Sequence, residues 1–315
     1  MPEKFNPIDL SGVRTYSLAD RKRKVSTGNF AKTWRKGSSY RNFLANLPDI
    51  LAGRQLKVVI SAIVQSYRAN RAILFGMGAH VIKVGLNPIV IDLMERGVIT
   101  AVAMNGAGII HDLELALVGQ TSEDVAMAIE DGSFGMARET CAFIAEALDA
   151  TWDNKIGLGE AVGRVILEKN LPMADKSILA AGARLAIPVT VHVAIGTDII
   201  HMQPEFDAAK AGAATHRDFR LFASIVAALE KGVYLNVGSA VILPEIFLKA
   251  TTLARNLGHT LSDFTTVNLD FITHYRPITN VIHRPTAKGG RGINLIGHHE
   301  ILLPLIAAGV IEEIG

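Results

Sequence analysis

The sequence has a single cysteine, Cys141, in 315 residues. One cysteine cannot form an intrachain disulfide, and it is too few for a cysteine-based zinc site. Absence of disulfides is typical of proteins in reducing compartments, so the composition favours the cytoplasm.

Charge of one sign and long hydrophobic runs are also scarce. The formal net charge of +2 is too small to indicate a nucleic-acid or membrane-surface partner. No segment approaches the roughly 20 consecutive apolar residues of a membrane span. Residues 1–20 have no apolar stretch like that of a signal peptide. We therefore expect a cytoplasmic protein with neither a nucleic-acid nor a membrane partner.

Aromatic residues make up only 6% of the chain, but 49% of it is hydrophobic, so the core must be mainly aliphatic. Residues 1–38 are polar, with a basic cluster at 21–24, and read as an N-terminal arm over the body or a neighbouring subunit. Nothing divides the rest of the chain, so residues 39–315 are expected to form one domain.

Short aliphatic segments alternate with segments of helical periodicity after the arm. The predicted strands are 71–76, 99–104, 189–193, 233–237, 264–269 and 293–296, with a mostly helical section at 109–185. Continuous aliphatic strands separated by helices are typical of a buried parallel sheet. The sequence thus predicts a single-domain, Rossmann-like α/β fold with a mainly parallel sheet and helices on both faces.

Glycine-rich turns follow several predicted strands, at the edge where such sheets bind ligands. Glycine lets the backbone approach a pyrophosphate closely, but it also serves packing. No turn carries the complete G-x-G-x-x-G fingerprint with its acidic residue. On these residues alone, nucleotide binding and close packing are both open.

Five histidines also lie at or just beyond predicted strand ends: His80, His111, His192, His298 and His299. They could act as acids and bases near neutral pH, bind a metal with Asp112, Asp198 or Glu300, or be structural. Their spacing matches no standard metal motif such as H-E-x-x-H, so no metal site is assigned. A nucleophile elbow, a Walker loop and a kinase signature are likewise missing.

The turns resemble those of the deoxyhypusine synthase family over roughly residues 70–310. Residues 75–85 read F-G-M-G-A-H-V-I-K-V-G, similar to the family's F-L-G-x-T-S-N-L-I-S-S-G. Residues 105–112, N-G-A-G-I-I-H-D, resemble T-T-A-G-G-V-E-E-D, residues 197–200 resemble G-D-M-I, and residues 234–241 resemble I-I-L-G-G-G-V-V. The order and spacing of these segments agree with the family's.

The resemblance implies an NAD-dependent transferase, normally a homotetramer with active sites between paired subunits. The family oxidises spermidine with NAD, captures the 4-aminobutyl group as an imine on a lysine, and passes it to a protein lysine. The matched segments imply a set of cofactor-binding residues, namely Gly78, Ala79, His80, Asn105, Gly106, Gly108, Gly238 and His299. Asp198 and His192 are the expected substrate-binding residues.

The chain departs from the family pattern before its last strand. The family's S-W-G-K stretch is absent, and Lys288 is the nearest candidate for the catalytic lysine. Between Asp270 and Glu300 the segment has basic residues and histidines but no acidic ones, and such a loop repels polyamines.

The expected catalytic residues are Lys288, His111, His298 and Glu300. The departures leave two alternatives open besides aminobutyl transfer: an NAD enzyme on the same fold with a different amine or an anionic substrate, and a non-catalytic nucleotide-binding oligomer.

Overall fold

The computed structural model describes residues 5–315, apart from the side chains of residues 153 and 154. The described residues form one open sheet of six parallel strands in the order β3-β2-β1-β4-β5-β6. The strands are β1 Ile73–Met77, β2 Ala101–Asn105, β3 Val189–His192, β4 Val233–Val237, β5 Thr265–Asp270 and β6 Arg291–Ile296. All six predicted strands are present, each within two or three residues of its predicted bounds.

Helices connect the strands and cover both faces of the sheet. They are α1 Tyr40–Asn46, α2 Leu51–Arg68, α3 His80–Lys83, α4 Asn87–Glu95, α5 Gly106–Val118, α6 Val125–Asp131, α7 Arg138–Asn154, α8 Leu158–Glu168, α9 Ile178–Leu185, α10 Ala208–Ala227, α11 Ile242–Asn256, α12 Tyr275–Pro277 and α13 His299–Ile314. Short 3-10 turns lie at Leu18–Asp20, Thr27–Asn29, Ala174–Lys176 and Ile199–Met202, and a π-helical segment at Ile278–His283.

The segment after β1 has helical periodicity throughout, yet it forms two helices. Gly85 adopts a φ of +77°, which ends α3, and Pro88 occupies the first turn of α4. A proline is tolerated in a first turn, where its missing N–H has no helical partner. The break turns the chain away from the sheet edge directly after Lys83.

Alternate residues of β1, β2 and β4 supply two separate hydrophobic cores. On β1, Ile73, Phe75 and Met77 join the core formed with α2, α4, α5, α8, α9 and α13. Leu74 faces the other core, where α10 and α11 pack around Tyr234. Because both faces of the inner strands are buried, most strand residues are apolar. The predicted α/β Rossmann-like fold is confirmed.

Strand order reverses next to β1, since β2 lies on one side of it and β4 on the other. In open α/β sheets this reversal leaves a crevice beyond the carboxyl ends of the strands, because the connecting helices leave in opposite directions. The loops after β1 and β4 line that crevice, and α5, α11 and α13 begin beside it.

Residues 5–38 run over the surface, and almost all of their side chains are exposed. Backbone hydrogen bonds tie the end of this segment to the body, from Lys32 N to Asn46 O at 3.0 Å and from Asp49 N to Asn29 O at 3.0 Å. The first four residues of the expected arm lie outside the described residues. No helix within residues 5–315 has the length and apolarity needed to cross a membrane.

Candidate functional site

The crevice at the strand-order reversal is built from two glycine turns in direct contact. A Cβ on Gly78 would lie 2.1 Å from the carbonyl oxygen of Gly238. Gly238 has a φ of +65°, and a Cβ there would lie 3.0 Å from the ring of His299. Gly78 is therefore required by close backbone packing between the β1 and β4 turns, and Gly238 by its positive φ and the nearby His299 ring.

Four rings gather beside these turns. The centroid of His80 lies 5.5 Å from that of His299 and 5.9 Å from that of Phe271. Phe271 also stacks on His298 at 6.3 Å, and His298 Nδ1 lies 3.8 Å from an oxygen of Glu300. The crevice thus unites His80, His298, His299 and Glu300, all predicted site residues.

His299 is fully buried, and only one of its ring nitrogens has a partner. Its Nε2 lies 3.1 Å from the carbonyl oxygen of Leu269, whereas its Nδ1 has no hydrogen-bond partner among the described residues. A buried polar atom without a partner costs free energy unless a ligand or water satisfies it. This nitrogen is therefore available to a bound molecule.

Three long helices point their N-termini at the same edge. Asn105 caps α5 by accepting from Gly108 N at 3.0 Å, and Ser239 Oγ accepts from Leu243 N in α11 at 3.2 Å. α13 has no side-chain cap. Uncapped N–H groups and the helix dipole favour an anion such as a pyrophosphate.

The other half of the site is a cavity of about 500 Å³ beside the carboxyl ends of β1, β2 and β3. Its size is within the usual range for sites that bind small molecules. Charged or titratable side chains lining it are His111 and Glu114 of α5, Glu123 of the following loop, Asp198 of the loop after β3, and Lys83 of α3. With three carboxylates and one lysine, the cavity attracts cations.

Asp198 lies against the start of α5. A Cβ on Gly106 would be 2.1 Å from Asp198 Oδ2, so only glycine leaves room for the carboxylate there. The same oxygen accepts from Ala194 N at 2.7 Å. Burial raises the pKa of Asp198, although the Ala194 N–H and the His201 charge act in the opposite direction.

The predicted site residues thus fall into two adjoining groups. Gly78, Ala79, His80, Gly238, His298, His299 and Glu300 surround the crevice, and His111 and Asp198 line the cavity, with Asn105, Gly106 and Gly108 at the start of α5. Their roles stay predictions.

Lys288 lies outside both groups. It precedes β6, beside the amino ends of β5 and β6, where Arg291 N donates to Phe264 O at 2.9 Å. Six residues of β6 separate it from the opposite edge, which is about 20 Å at the usual rise of a strand. Within one chain, the structure does not bring Lys288 to the other predicted residues.

The basic segment around Lys288 does not line the cavity either. Arg284 donates to Asn280 Oδ1 at 2.9 Å, and Arg276 pairs with Glu245 at 3.4 Å. The side chains around the cavity come from other segments. The expected repulsion of polyamines by the basic loop stays a prediction.

The position of His192 also differs from the one that the sequence predicted for a substrate-binding residue. It is the last residue of β3 but only 4% exposed, with its ring against Phe222 and its Nε2 3.0 Å from Thr190 Oγ1. Burial lowers the pKa of His192 to about 3. A sealed, neutral ring on the α10 side of the sheet cannot contact a substrate in the cavity.

Asp112, considered above as a metal ligand, is structural. Its buried carboxylate accepts from Ser177 Oγ at 2.6 Å, Ile178 N at 2.9 Å, Leu179 N at 3.1 Å and Asn87 Nδ2 at 3.0 Å. It thereby caps α9. Across residues 5–315, no three histidine, cysteine or acidic side chains are arranged to hold a metal ion.

Lys83, Glu114, Thr121 and Glu123 were missed because they follow no strand directly. A signal existed for one of them, since His111 and Glu114 are three apart on a helix and therefore share a face. The sequence also shows an asparagine in each of β4, β5 and β6. These form a hydrogen-bonded ladder, with buried Asn236 donating to buried Asn268 and Asn268 to half-buried Asn294, both at 2.8 Å.

No family model matches the chain, and no curated protein matches it by sequence. Solved structures share its fold at low identity. A protein of Entamoeba histolytica assigned as a deoxyhypusine synthase is 13% identical, with a TM-score of 0.56, covering 90% of this chain and 96% of its own.

Two longer proteins also match. The cyanobacterial arginine dihydrolase ArgZ is 13% identical with a TM-score of 0.52, and AgrE, in a complex with ornithine and NAD+, is 15% identical with a TM-score of 0.53. Each covers 84% of this chain, which spans only 34% of their length. At these identities the likeness establishes a shared Rossmann-like fold.

Proposed function

We propose that the chain is an NAD-dependent enzyme with deoxyhypusine synthase-like chemistry, which oxidises a cationic amine and transfers the resulting group to a second amine. The observation that carries this proposal is the cavity with Glu114, Glu123 and Asp198, adjoining the crevice at the strand-order reversal. Carboxylates suit an ammonium group, and a crevice of that kind suits a dinucleotide.

The crevice residues fit NAD. The buried Nδ1 of His299 lacks a partner, and the N-terminus of α13 has no side-chain cap. The residues that would hold the cofactor are those of the β1 and β4 turns together with Asn105, Gly106 and Gly108 at the start of α5. When bound, the nicotinamide ring accepts a hydride from the carbon beside the amine nitrogen.

The cavity side chains would bind and orient the amine. Asp198 is held by the Ala194 N–H against α5, so its carboxylate is in place before a substrate arrives. Glu114 and Glu123 extend the negative charge along the cavity, as a substrate with several ammonium groups requires. His111 is the side chain suited to exchange a proton with the amine nitrogen.

The solved structures support a link between this fold and such ligands. AgrE is described in a complex with ornithine, an amine, and NAD+, and the Entamoeba protein is assigned as a deoxyhypusine synthase. Both proteins share the fold found here, the Entamoeba protein over 96% of its chain and AgrE over 34%. The cytoplasm, a homotetramer and a protein lysine acceptor belong to the same proposal. The exposed apolar side chains of residues 5–38, among them Phe5 and Ile8, suit a subunit contact.

A second candidate substrate follows from Lys83. This lysine also lines the cavity, and its charge is opposite to that of the three carboxylates. It therefore suits a carboxylate on the substrate itself. A diamino acid would place its ammonium groups on the acidic residues and its carboxylate on Lys83. This candidate differs from the first in substrate and requires no lysine imine.

Both candidates are tested by measuring binding of NAD+ and then formation of reduced nicotinamide with spermidine or ornithine. We expect Asp198→Asn to weaken binding of the amine about ten- to a hundredfold, because a charge-assisted hydrogen bond is lost. Lys288→Ala should have unchanged turnover. Turnover of spermidine alone supports the first candidate and turnover of ornithine alone the second.

Borohydride trapping with labelled spermidine examines the imine directly. Label on Lys288 would show that a neighbouring subunit completes the site, and the lysine would then be catalytic after all. Binding of NAD+ without turnover of either amine would contradict the proposed enzyme.

A further inference from the structure

A short hydrogen-bonded chain joins three side chains at the wall of the cavity. His111 Nδ1 lies 2.6 Å from Thr121 Oγ1, and Thr121 Oγ1 donates to Glu114 Oε2 at 2.5 Å. The direct distance from His111 Nδ1 to that glutamate oxygen is 3.7 Å, too long for a hydrogen bond. The threonine hydroxyl therefore mediates between the histidine and the carboxylate.

The number of hydrogens shared by His111, Thr121 and Glu114 determines which atom carries each of them. Burial on its own would raise the pKa of Glu114, but its interaction with nearby His111 and the hydrogen bonds from Thr121 and Thr140 lower it overall. An ionised carboxylate only accepts hydrogen bonds, so the single hydroxyl hydrogen of Thr121 is directed to Glu114. Thr121 Oγ1 must then accept, and His111 Nδ1 must carry the hydrogen.

A neutral imidazole with its hydrogen on Nδ1 has its lone pair on Nε2. Nε2 of His111 has no hydrogen-bond partner among residues 5–315, and it is not sealed from solvent as His201 Nε2 is. The side chain of His111 is 13% exposed, and it lines the cavity. The free basic nitrogen is thus on the ring edge away from Thr121.

We propose that His111 Nε2 is the base of the cavity, and that Thr121 and Glu114 are positioning residues that fix its tautomer. This inference rests on the proposed amine oxidation. In that reaction a substrate N–H bond breaks and its proton binds Nε2, so the nitrogen lone pair becomes free. The adjacent carbon then loses a hydride to the nicotinamide, and the proton leaves Nε2 for solvent through the open cavity.

The hydrogen-bonded chain of His111, Thr121 and Glu114, called the relay below, stabilises the charged ring that this step produces. When Nε2 is protonated, the Nδ1 hydrogen still points at Thr121, which passes the interaction to the Glu114 carboxylate. The other charged groups facing the cavity are Glu123, Asp198 and Lys83. Thr140 donates to the second Glu114 oxygen at 3.4 Å and has no hydrogen bond to His111, so it is a matched control for Thr121.

The tautomer is measured by nitrogen NMR on uniformly labelled protein without cofactor or substrate. We expect the hydrogen on Nδ1 of His111 in the wild type, in Thr121→Ser and in Thr140→Val. In Thr121→Val the acceptor is gone, and we expect a mixture of both tautomers. A hydrogen on Nε2 of His111 in the wild type would overturn the relay, regardless of which substrate the enzyme uses.

Kinetics distinguish positioning from a general loss of structure. We expect Thr121→Val to lower kcat about tenfold with KM nearly unchanged, Thr121→Ser to restore it, and His111→Gln to lower it by about 10²-fold or more. Equal kcat in Thr121→Val and wild type would overturn the positioning role. If the wild type has the expected tautomer but oxidises no amine, the relay stands and the proposed function fails.

Discussion

Gly78 and Gly238 meet through backbone alone, since a Cβ on Gly78 would lie 2.1 Å from the Gly238 carbonyl oxygen. The clash would be with the main chain, so no side-chain rotation can relieve it. This contact holds the turns after β1 and β4 together at the point where strand order reverses.

The first prediction concerns that contact. Gly78→Ala must separate the two turns, and we expect the free energy of unfolding to fall by about 3 kcal/mol, the upper end of overpacking effects. Urea denaturation measures it. Gly212→Ala in α10 is the control, because its Cβ would meet nothing within 4 Å. In a helix that replacement should stabilise by up to about 1 kcal/mol. Equal effects at both positions would contradict the packing argument.

The second prediction concerns Asp112, which caps α9. In Asp112→Ala the N–H groups of Ile178 and Leu179 lose their acceptor in a buried place. At about 1–3 kcal/mol for each unsatisfied group, we expect a loss of about 4 kcal/mol in unfolding free energy. Asp175→Ala, which removes an exposed pair with Lys176, should leave the unfolding free energy nearly unchanged. A small effect of Asp112→Ala would mean that another group satisfies these donors.

The third prediction concerns the pH dependence of stability. Burial lowers the pKa of His192 to about 3, from the ordinary value of 6.5 for a histidine. As pH falls below about 6.5, the unfolded chain takes up a proton at this residue and the folded chain does not. Its contribution to stability is therefore complete above pH 6.5 and is lost as pH falls towards 3.

Comparison of the wild type with His192→Gln measures this contribution. The decrease in unfolding free energy from about pH 7 to about pH 5 should be smaller in the variant, which has no proton to take up. His259→Gln, at an exposed position, should leave the decrease unchanged. If the His192 ring signals titrate near neutral pH in NMR, the ring is not sealed.

The fourth prediction concerns Cys141. Burial, with the nearby charges of Glu205 and Glu114, raises the pKa of its thiol to about 11. Only about one thiol in a thousand is then ionised at pH 8, and the thiolate is the reactive form. We expect a thiol reagent to react at least about a hundredfold more slowly with folded than with urea-unfolded protein. Comparable rates would show that the thiol is accessible in the native state.

Local sequence was sufficient for the strands and for most of the turns beside the site. The predicted strands 233–237 and 264–269 correspond to β4 and β5, because strands buried on both faces favour aliphatic and β-branched residues. The glycine turn at 76–78 and the histidines at 80 and 298–299 were placed correctly at the carboxyl edge. Each inference depended on neighbours within a few residues.

The same reasoning failed where the outcome depended on distant parts of the chain. His192 and His111 both follow apolar strands, yet His192 faces α10 and is sealed, whereas His111 lies one turn into α5 and lines the cavity. The side on which a strand residue falls depends on register and packing, which no local pattern specifies. Lys288 lies just before β6 in sequence. The length of that strand therefore separates it from the carboxyl edge of the sheet, where the other predicted residues lie.

The sequence by itself thus determined the alternation of strands and helices, the aliphatic core and the glycine positions of the turns, since these depend on periodicity and backbone conformation. Only the tertiary structure decided which of these turns meet and which side chains share a cavity. Glu114 and Asp198 are 84 residues apart, and sheet order places both beside His111. Hydrogen bonds and charge interactions act over a few ångströms, so a site exists only after long-range packing has brought its members together.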